Sequence, residues 1–159
     1  MIVRACRITN ARHADNAFDG KGAEKNAGRW NSIGTPVVYT AQSISLAMLE
    51  TLVHLDDVGM LSHSYTIFEV SFDDSLIQQQ DVASLPKDWR ISPVPKTVQN
   101  IGDKWVQTES SPVLAVPSTI VPSEWNYLLN PRHPAFGSIE IGPATSIRFD
   151  PRLIKTNLP

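Results

Sequence analysis

One arginine, one tyrosine and one carboxylate stand out in an otherwise apolar part of this sequence: Gly28-Arg29-Trp30-Asn31, then Pro36-Val37-Val38-Tyr39-Thr40, then Met48-Leu49-Glu50. A planar cation can clamp a diphosphate, an aromatic face with a hydroxyl can stack on a flat ring, and a carboxylate can stabilise a positive transition state. Together these groups point towards NAD chemistry, which requires a fold that brings them to one cleft.

The elements that must position them can be read from periodicity. Residues 2–8 alternate apolar and polar side chains and predict a first strand, and residues 10–28, with Gly20 and Gly22, read as a loop. Gly20-Lys21-Gly22 lacks the Gly-x-x-x-x-Gly-Lys-Ser/Thr spacing of a phosphate-binding loop. Pro36 opens a β-branched run, residues 37–40, as the second strand, with Tyr39 near its end. Ser43 is a suitable N-cap for a helix running to Leu55. Its Ile44, Leu46, Met48, Leu49, Leu52, Val53 and Leu55 cover more than half of the circumference, so the helix is expected to be largely buried. Glu50 and His54, spaced i, i+4, then share its narrow polar edge.

Residues 64–72 predict a strand with Thr66, Phe68, Val70 and Phe72 on one face. Residues 78–95, carrying Pro86, Pro93 and Pro95, read as a surface loop, and Val98, Ile101 and Trp105 recur at helical spacing as far as residue 109. A buried strand at 113–116 ends at Pro117-Ser118. Pro122, Pro131 and Pro134 break up 123–137, and 138–141 and 146–149 read as closing strands. Short strands with two interspersed helices and no regular βαβ alternation predict an α+β fold: one compact domain, residues 1–159, with a mainly antiparallel or mixed sheet.

A chain of 159 residues can bury an ordinary core without a metal or disulfide. Hydrophobic residues make up 42% and charged residues 19%, and no stretch approaches the roughly 20 apolar residues of a membrane span, so no membrane association is expected. The first eight residues read as a strand and not a signal peptide, and the single Cys6 forms no internal disulfide; a cytoplasmic location is the expectation. With a formal charge of −2 and no Lys/Arg cluster, direct nucleic-acid binding is not expected. His13, His54, His63 and His133 stand apart, with no metal-ligand spacing, so no metal site is expected.

Several motifs, in order, resemble one known family: Gly22-Ala23 leading to Gly28-Arg29-Trp30-Asn31; Pro36-Val37-Val38-Tyr39; Ala47-Met48-Leu49-Glu50 with Val53-His54; Val116-Pro117-Ser118; and Asn126-Tyr127-Leu128-Leu129-Asn130-Pro131. The chain is similar to the RES-domain family, named for its Arg, Glu and Ser, whose members are toxins of bacterial toxin–antitoxin pairs. The resemblance implies a fold related to ADP-ribosyltransferases, consumption of NAD as substrate, growth arrest, and inhibition by an Xre-type helix-turn-helix antitoxin covering the active site. It places Arg29, Glu50 and Ser118 on the name-giving positions, Tyr39 on the pocket tyrosine and Arg7 on the first-strand arginine.

On this reading Glu50 stabilises the ribose oxocarbenium ion, Arg29 with Arg7 clamps the pyrophosphate, Tyr39 packs on the nicotinamide or its ribose, and Ser118 orients the ribose or Glu50. Trp30 and Asn130 complete the expected nucleotide-binding set. The plain alternatives are a helix-edge ion pair between Glu50 and His54, a surface role for Arg29 beside Trp30, strand packing for Tyr39, a turn or cap role for Ser118, and loop-fixing roles for Asn126 and Asn130. Three activities remain open: NAD cleavage with water or phosphate as acceptor, transfer of ADP-ribose to a protein, and nucleotide binding without turnover. Exposed apolar residues near the proline-rich loops suit an antitoxin contact or a homodimer.

Overall fold

The computed structural model describes residues 1–55 and 58–153. Among these, eight strands form one sheet: β1 (Ile2–Asn10), β2 (Val38–Ala41), β3 (Tyr65–Asp73), β4 (Ile77–Gln79), β5 (Val113–Pro117), β6 (Trp125–Leu129), β7 (Glu140–Ile141) and β8 (Thr145–Ile147). Three α-helices accompany them: α1 (Lys21–Lys25), α2 (Ile44–Leu52) and α3 (Lys96–Thr108). The strand order is β4-β5-β6-β2-β1-β3-β7, with β8 also on β3, and every pair is antiparallel except β4 with β5. The α+β class with a mixed, mainly antiparallel sheet is therefore as the sequence indicates.

β1 and β3 pair along their whole length, from Ile2 opposite Asp73 to Asn10 opposite Tyr65. β1 and β2, in contrast, meet only at Cys6 opposite Ala41 and then part. That divergence opens the middle of the sheet between Arg7 and Asn10 on one side and Tyr39 and Thr40 on the other, a gap that no ladder hydrogen bonds close.

Apolar residues fill both sides. Under α3, Trp30, Val98, Trp105, Leu114 and Leu128 form one cluster; on the opposite face Val38, Val70, Phe72 and Leu129 form another. A smaller cluster of Cys6, Ala41, Leu46, Ala47 and Ile67 anchors α2 beside the gap.

Several segments differ from the sequence expectation, among them the start of the expected loop at 78–95, where β4 pairs with β5. The helix starts where expected, with Ser43 Oγ accepting from the Leu46 N–H, but ends at Leu52. It is also not largely buried: only Leu46 and Ala47 are enclosed, while Ile44, Leu49 and Val53 are 45%, 39% and 59% exposed. The apolar composition wraps around α2, but the helix has sheet on one side only. Between Pro122 and Pro131 lies a full central strand, β6, because both prolines fall outside its hydrogen-bonded residues and leave the ladder intact. The expected loop at 10–28 contains a 3-10 turn and α1, each capped by short local hydrogen bonds that periodicity does not register.

α3 crosses the chain at Trp30 so closely that only glycine fits at the crossing. A Cβ on Gly102 would stand 1.7 Å from the Trp30 carbonyl oxygen. The same helix is tied to this segment by Gln99 Nε2 donating to the Gly28 carbonyl and by Asp103 accepting from the Ser32 backbone N–H at 2.8 Å. Gly102→Ala is expected to cost about 2–3 kcal/mol or more of stability, because backbone and not a flexible side chain would have to move. The midpoint of urea unfolding measures it, and an unchanged midpoint would refute the close crossing.

Candidate active site

The gap between β1 and β2 opens into a cleft of about 800 Å³, lined among others by Arg7, Arg29, Tyr39, Glu50, His54 and Asn126. Its lining also includes Ser92 and Val94 of the proline-rich segment and Thr119 and Ile120 just after β5.

The two arginines are held by backbone carbonyls and not by acids. Arg29 donates through one terminal nitrogen to the carbonyls of Trp89 and Ile91, at 2.7 and 3.0 Å. Burial lowers its pKa from the ordinary value, with the Glu50 carboxylate opposing the shift. Arg7 donates to the Tyr39 carbonyl at 2.9 Å, the group that parting of β1 from β2 would otherwise leave bare. Burial brings the Arg7 guanidinium down to about 10, so it remains a cation at neutral pH; its Nε is buried and has no partner among the described residues. A buried, incompletely bonded cation beside a cleft favours an anionic occupant.

Tyr39 serves a different neighbour from the one the sequence suggests. Its hydroxyl donates to Asn31 Oδ1 at 2.7 Å and accepts from the Trp30 N–H at 3.2 Å, while the Gly28 N–H also donates to Asn31 Oδ1. Asn31, fully buried, returns its amide to the carbonyls of Ala23, Ser32 and Thr35. Gly28 is required here: a Cβ would lie 2.6 Å from the Tyr39 oxygen and 2.7 Å from Asn31 Oδ1. Burial pushes the Tyr39 hydroxyl above its usual pKa, so it stays protonated as a donor. The network fixes the 28–31 turn, and with it the base of the Arg29 side chain.

Glu50 projects from α2 towards the ends of two strands. Its Oε1 accepts from Ser118 Oγ at 2.9 Å and from Asn126 Nδ2 at 2.7 Å. Among the described residues no donor reaches Oε2, and Glu50 makes no ion pair with His54, which is exposed. Ser118 is fully buried just beyond β5 and its Oγ also accepts from the Ile120 and Val121 N–H groups. The turn role and the Glu50-orienting role of Ser118 are thus one arrangement: two backbone donors use the lone pairs of Oγ, which leaves its hydrogen for the carboxylate.

The fold brings Arg7, Arg29, Tyr39 and Glu50 to one cleft, with Ser118 reaching it through Glu50. Trp30 borders the cleft but is 2% exposed and packs in the core beside Trp89. Asn130 is not brought there: fully buried outside the cleft lining, it accepts from the Arg132 N–H and caps the turn after β6. The contact that sequence reasoning missed is Asn126 to Glu50, since a single Asn in a strand that prolines concealed carries no spacing signal.

The RES-domain family model matches residues 4–150. The chain belongs to the RES-domain family. Relatives at full length carry the name of toxins. Toxin Res of Yersinia enterocolitica is 45% identical over 148 residues, which is 92% of this chain and 97% of that protein. The Prs ADP-ribosylating toxin of Sphingobium sp. is 38% identical over 152 residues, 92% of this chain and 93% of that one. The M. tuberculosis MbcT-MbcA toxin-antitoxin complex contains a chain of the same fold, with a TM-score of 0.73 at 18% identity, over 96% of this RES-domain chain and 87% of that one.

Tyr39→Phe removes the hydroxyl from its two partners in the 28–31 turn, the Trp30 N–H and Asn31 Oδ1. It is expected to lower stability by about 1–3 kcal/mol, read from the urea midpoint at unchanged slope. A neutral effect would mean that the hydroxyl does not hold the turn.

Proposed function

We propose that this RES-domain chain is the toxin of a toxin–antitoxin pair and that it breaks the nicotinamide–ribose bond of NAD, with water or phosphate as acceptor, causing growth arrest. The observation that carries this reading is Glu50: one carboxylate oxygen is tied to Ser118 and Asn126, while the other has no donor among the described residues, in a cleft shared with two cations.

The chemistry suits a single acid. Nicotinamide in NAD is a cationic leaving group, so when the C–N bond breaks, its electron pair neutralises the ring and no proton has to be supplied. Ordinary glycoside hydrolysis needs a second carboxyl group for that proton. The charge left on the ribose is positive, and a fixed carboxylate beside it lowers the barrier without reorganising. Water or phosphate then forms the new bond at the same carbon, and a water acceptor releases its proton. Arg29 and Arg7 supply the positive charge that a pyrophosphate needs. Each already gives one nitrogen to a backbone carbonyl, which holds the guanidinium still for the ligand. Tyr39 lines the cleft beside Arg29 as the surface on which the nicotinamide ribose packs, with Trp30 supporting it from the core.

The name of the Sphingobium relative favours a second reading, in which the acceptor is a side chain of a protein. Both readings share the C–N cleavage and differ in what occupies the acceptor position. The toxin role calls for a partner antitoxin, in keeping with the complex that the M. tuberculosis fold relative forms. We assign that partner to the Xre-type helix-turn-helix class, which would carry the DNA binding that a net charge of −2 does not support here. Exposed Leu49 on α2 and Val53 just after it, the latter in the cleft lining, give it, or a second copy of the chain, an apolar foothold beside the cleft.

Incubation of the purified chain with NAD, with and without phosphate and a protein extract, tests the reading. Free nicotinamide with ADP-ribose or its phosphorylated form supports it; label on a protein moves it to the transferase; bound NAD with no nicotinamide over hours refutes catalysis. Glu50→Gln is expected to lower turnover about 100-fold or more while NAD still binds. Arg29→Lys is expected to weaken NAD binding, because a point cation does not replace a planar fork. Near-normal kcat in the first or an unchanged affinity in the second would remove that residue from its role.

A further inference from the structure

Asn126 sits where an asparagine is costly. It lies in the centre of the sheet, opposite Ala41 on β2 and Val116 on β5, and is 9% exposed. Asparagine is a poor strand former. Its orientation follows from its partner: an ionised carboxylate only accepts, so the amide nitrogen faces Glu50 and the amide oxygen faces away. That oxygen is buried with no hydrogen-bond partner among the described residues. An apolar side chain of similar size would remove this defect, so the sheet itself gains nothing from an asparagine at this position.

What the residue does at its other end explains its presence. Ser118 and Asn126 both donate to the same oxygen of Glu50, from segments on either side of the β5–β6 hairpin. One donor fixes where that oxygen lies but allows the carboxylate to turn about it. Two donors from different directions fix its plane, and so fix where the free oxygen points. We infer that Asn126 is a positioning residue for the reaction: with Ser118 it locks Oε1 of Glu50 so that Oε2 faces the reacting sugar. The inference rests on the NAD-cleavage reading for its consequence, though not for its geometry.

Asn126→Ala and Asn126→Asp separate positioning from packing. With Asn126→Ala, kcat for nicotinamide release should fall about 10- to 100-fold, the scale of a misplaced catalytic group, while KM for NAD stays within about twofold. Its Tm should not fall with activity, because an unpaired buried oxygen leaves with the side chain. Asn126→Asp keeps the shape but replaces the donor with a second carboxylate against Oε1, so it should be the more damaging of the two for kcat. A packing role gives the reverse order. Near-normal kcat in Asn126→Ala, a loss confined to KM, or an activity loss that tracks Tm would each overturn the inference. The geometry is also readable without turnover: a crystal structure of Asn126→Ala should show the Glu50 carboxylate rotated from its original plane, and an unmoved carboxylate overturns the inference. Absence of nicotinamide release by the unsubstituted chain would instead overturn the NAD reading alone.

Discussion

The site depends on a single carboxylate oxygen that ties a helix to two strands. Glu50 stands on α2, a short helix anchored through Leu46 and Ala47 and otherwise half in solvent. Without a tether, a glutamate on such a helix would sample several rotamers, and a carboxylate that wanders cannot stabilise a transition state cheaply. The Ser118 and Asn126 hydrogen bonds remove that freedom. They also set the distance between α2 and the β5–β6 hairpin, so the same contact that orients the acid shapes the cleft.

The opposite wall is built around the parting of β1 and β2. A sheet that opens in its middle exposes backbone carbonyls, and Arg7 takes one of them, from Tyr39, with its guanidinium. The cation is therefore structural and chemical at once: it closes a hydrogen-bond deficit and keeps a positive charge at the floor of the cleft. Arg29 follows the same pattern against the carbonyls of Trp89 and Ile91, in the proline-rich segment. Among the described residues neither arginine is paired with an acid by a salt bridge, and so an arriving diphosphate would not have to displace one.

Much of this was legible in the sequence for identifiable reasons. Alternation along 64–72 and the Val98, Ile101, Trp105 spacing gave β3 and α3, because one-sided burial, present along α3 and in β3 from Phe68 onward, writes its period directly into the residues; residues 65–68 are buried on both faces. The ordered motifs led to Arg29, Tyr39 and Glu50, and these share one cleft. What was not legible depends on partners distant in sequence. The burial of α2 was overestimated because apolar residues on a helix show what it could bury and not how many neighbours it has. β6 was hidden because proline reads as a break, whereas Pro122 and Pro131 stand outside its ladder. Tyr39 holding Asn31, Arg29 held by carbonyls some 60 residues away, and Asn130 turned into the protein are side-chain facts of tertiary origin.

The most direct test of the central claim is a crystal structure of Glu50→Gln soaked with NAD, in which slow turnover preserves the substrate. The account predicts the nicotinamide ribose against residue 50, its anomeric carbon beside the oxygen position that Ser118 and Asn126 leave free, with the pyrophosphate on Arg29 and Arg7. NAD bound in another orientation, with the anomeric carbon remote from residue 50, would contradict it.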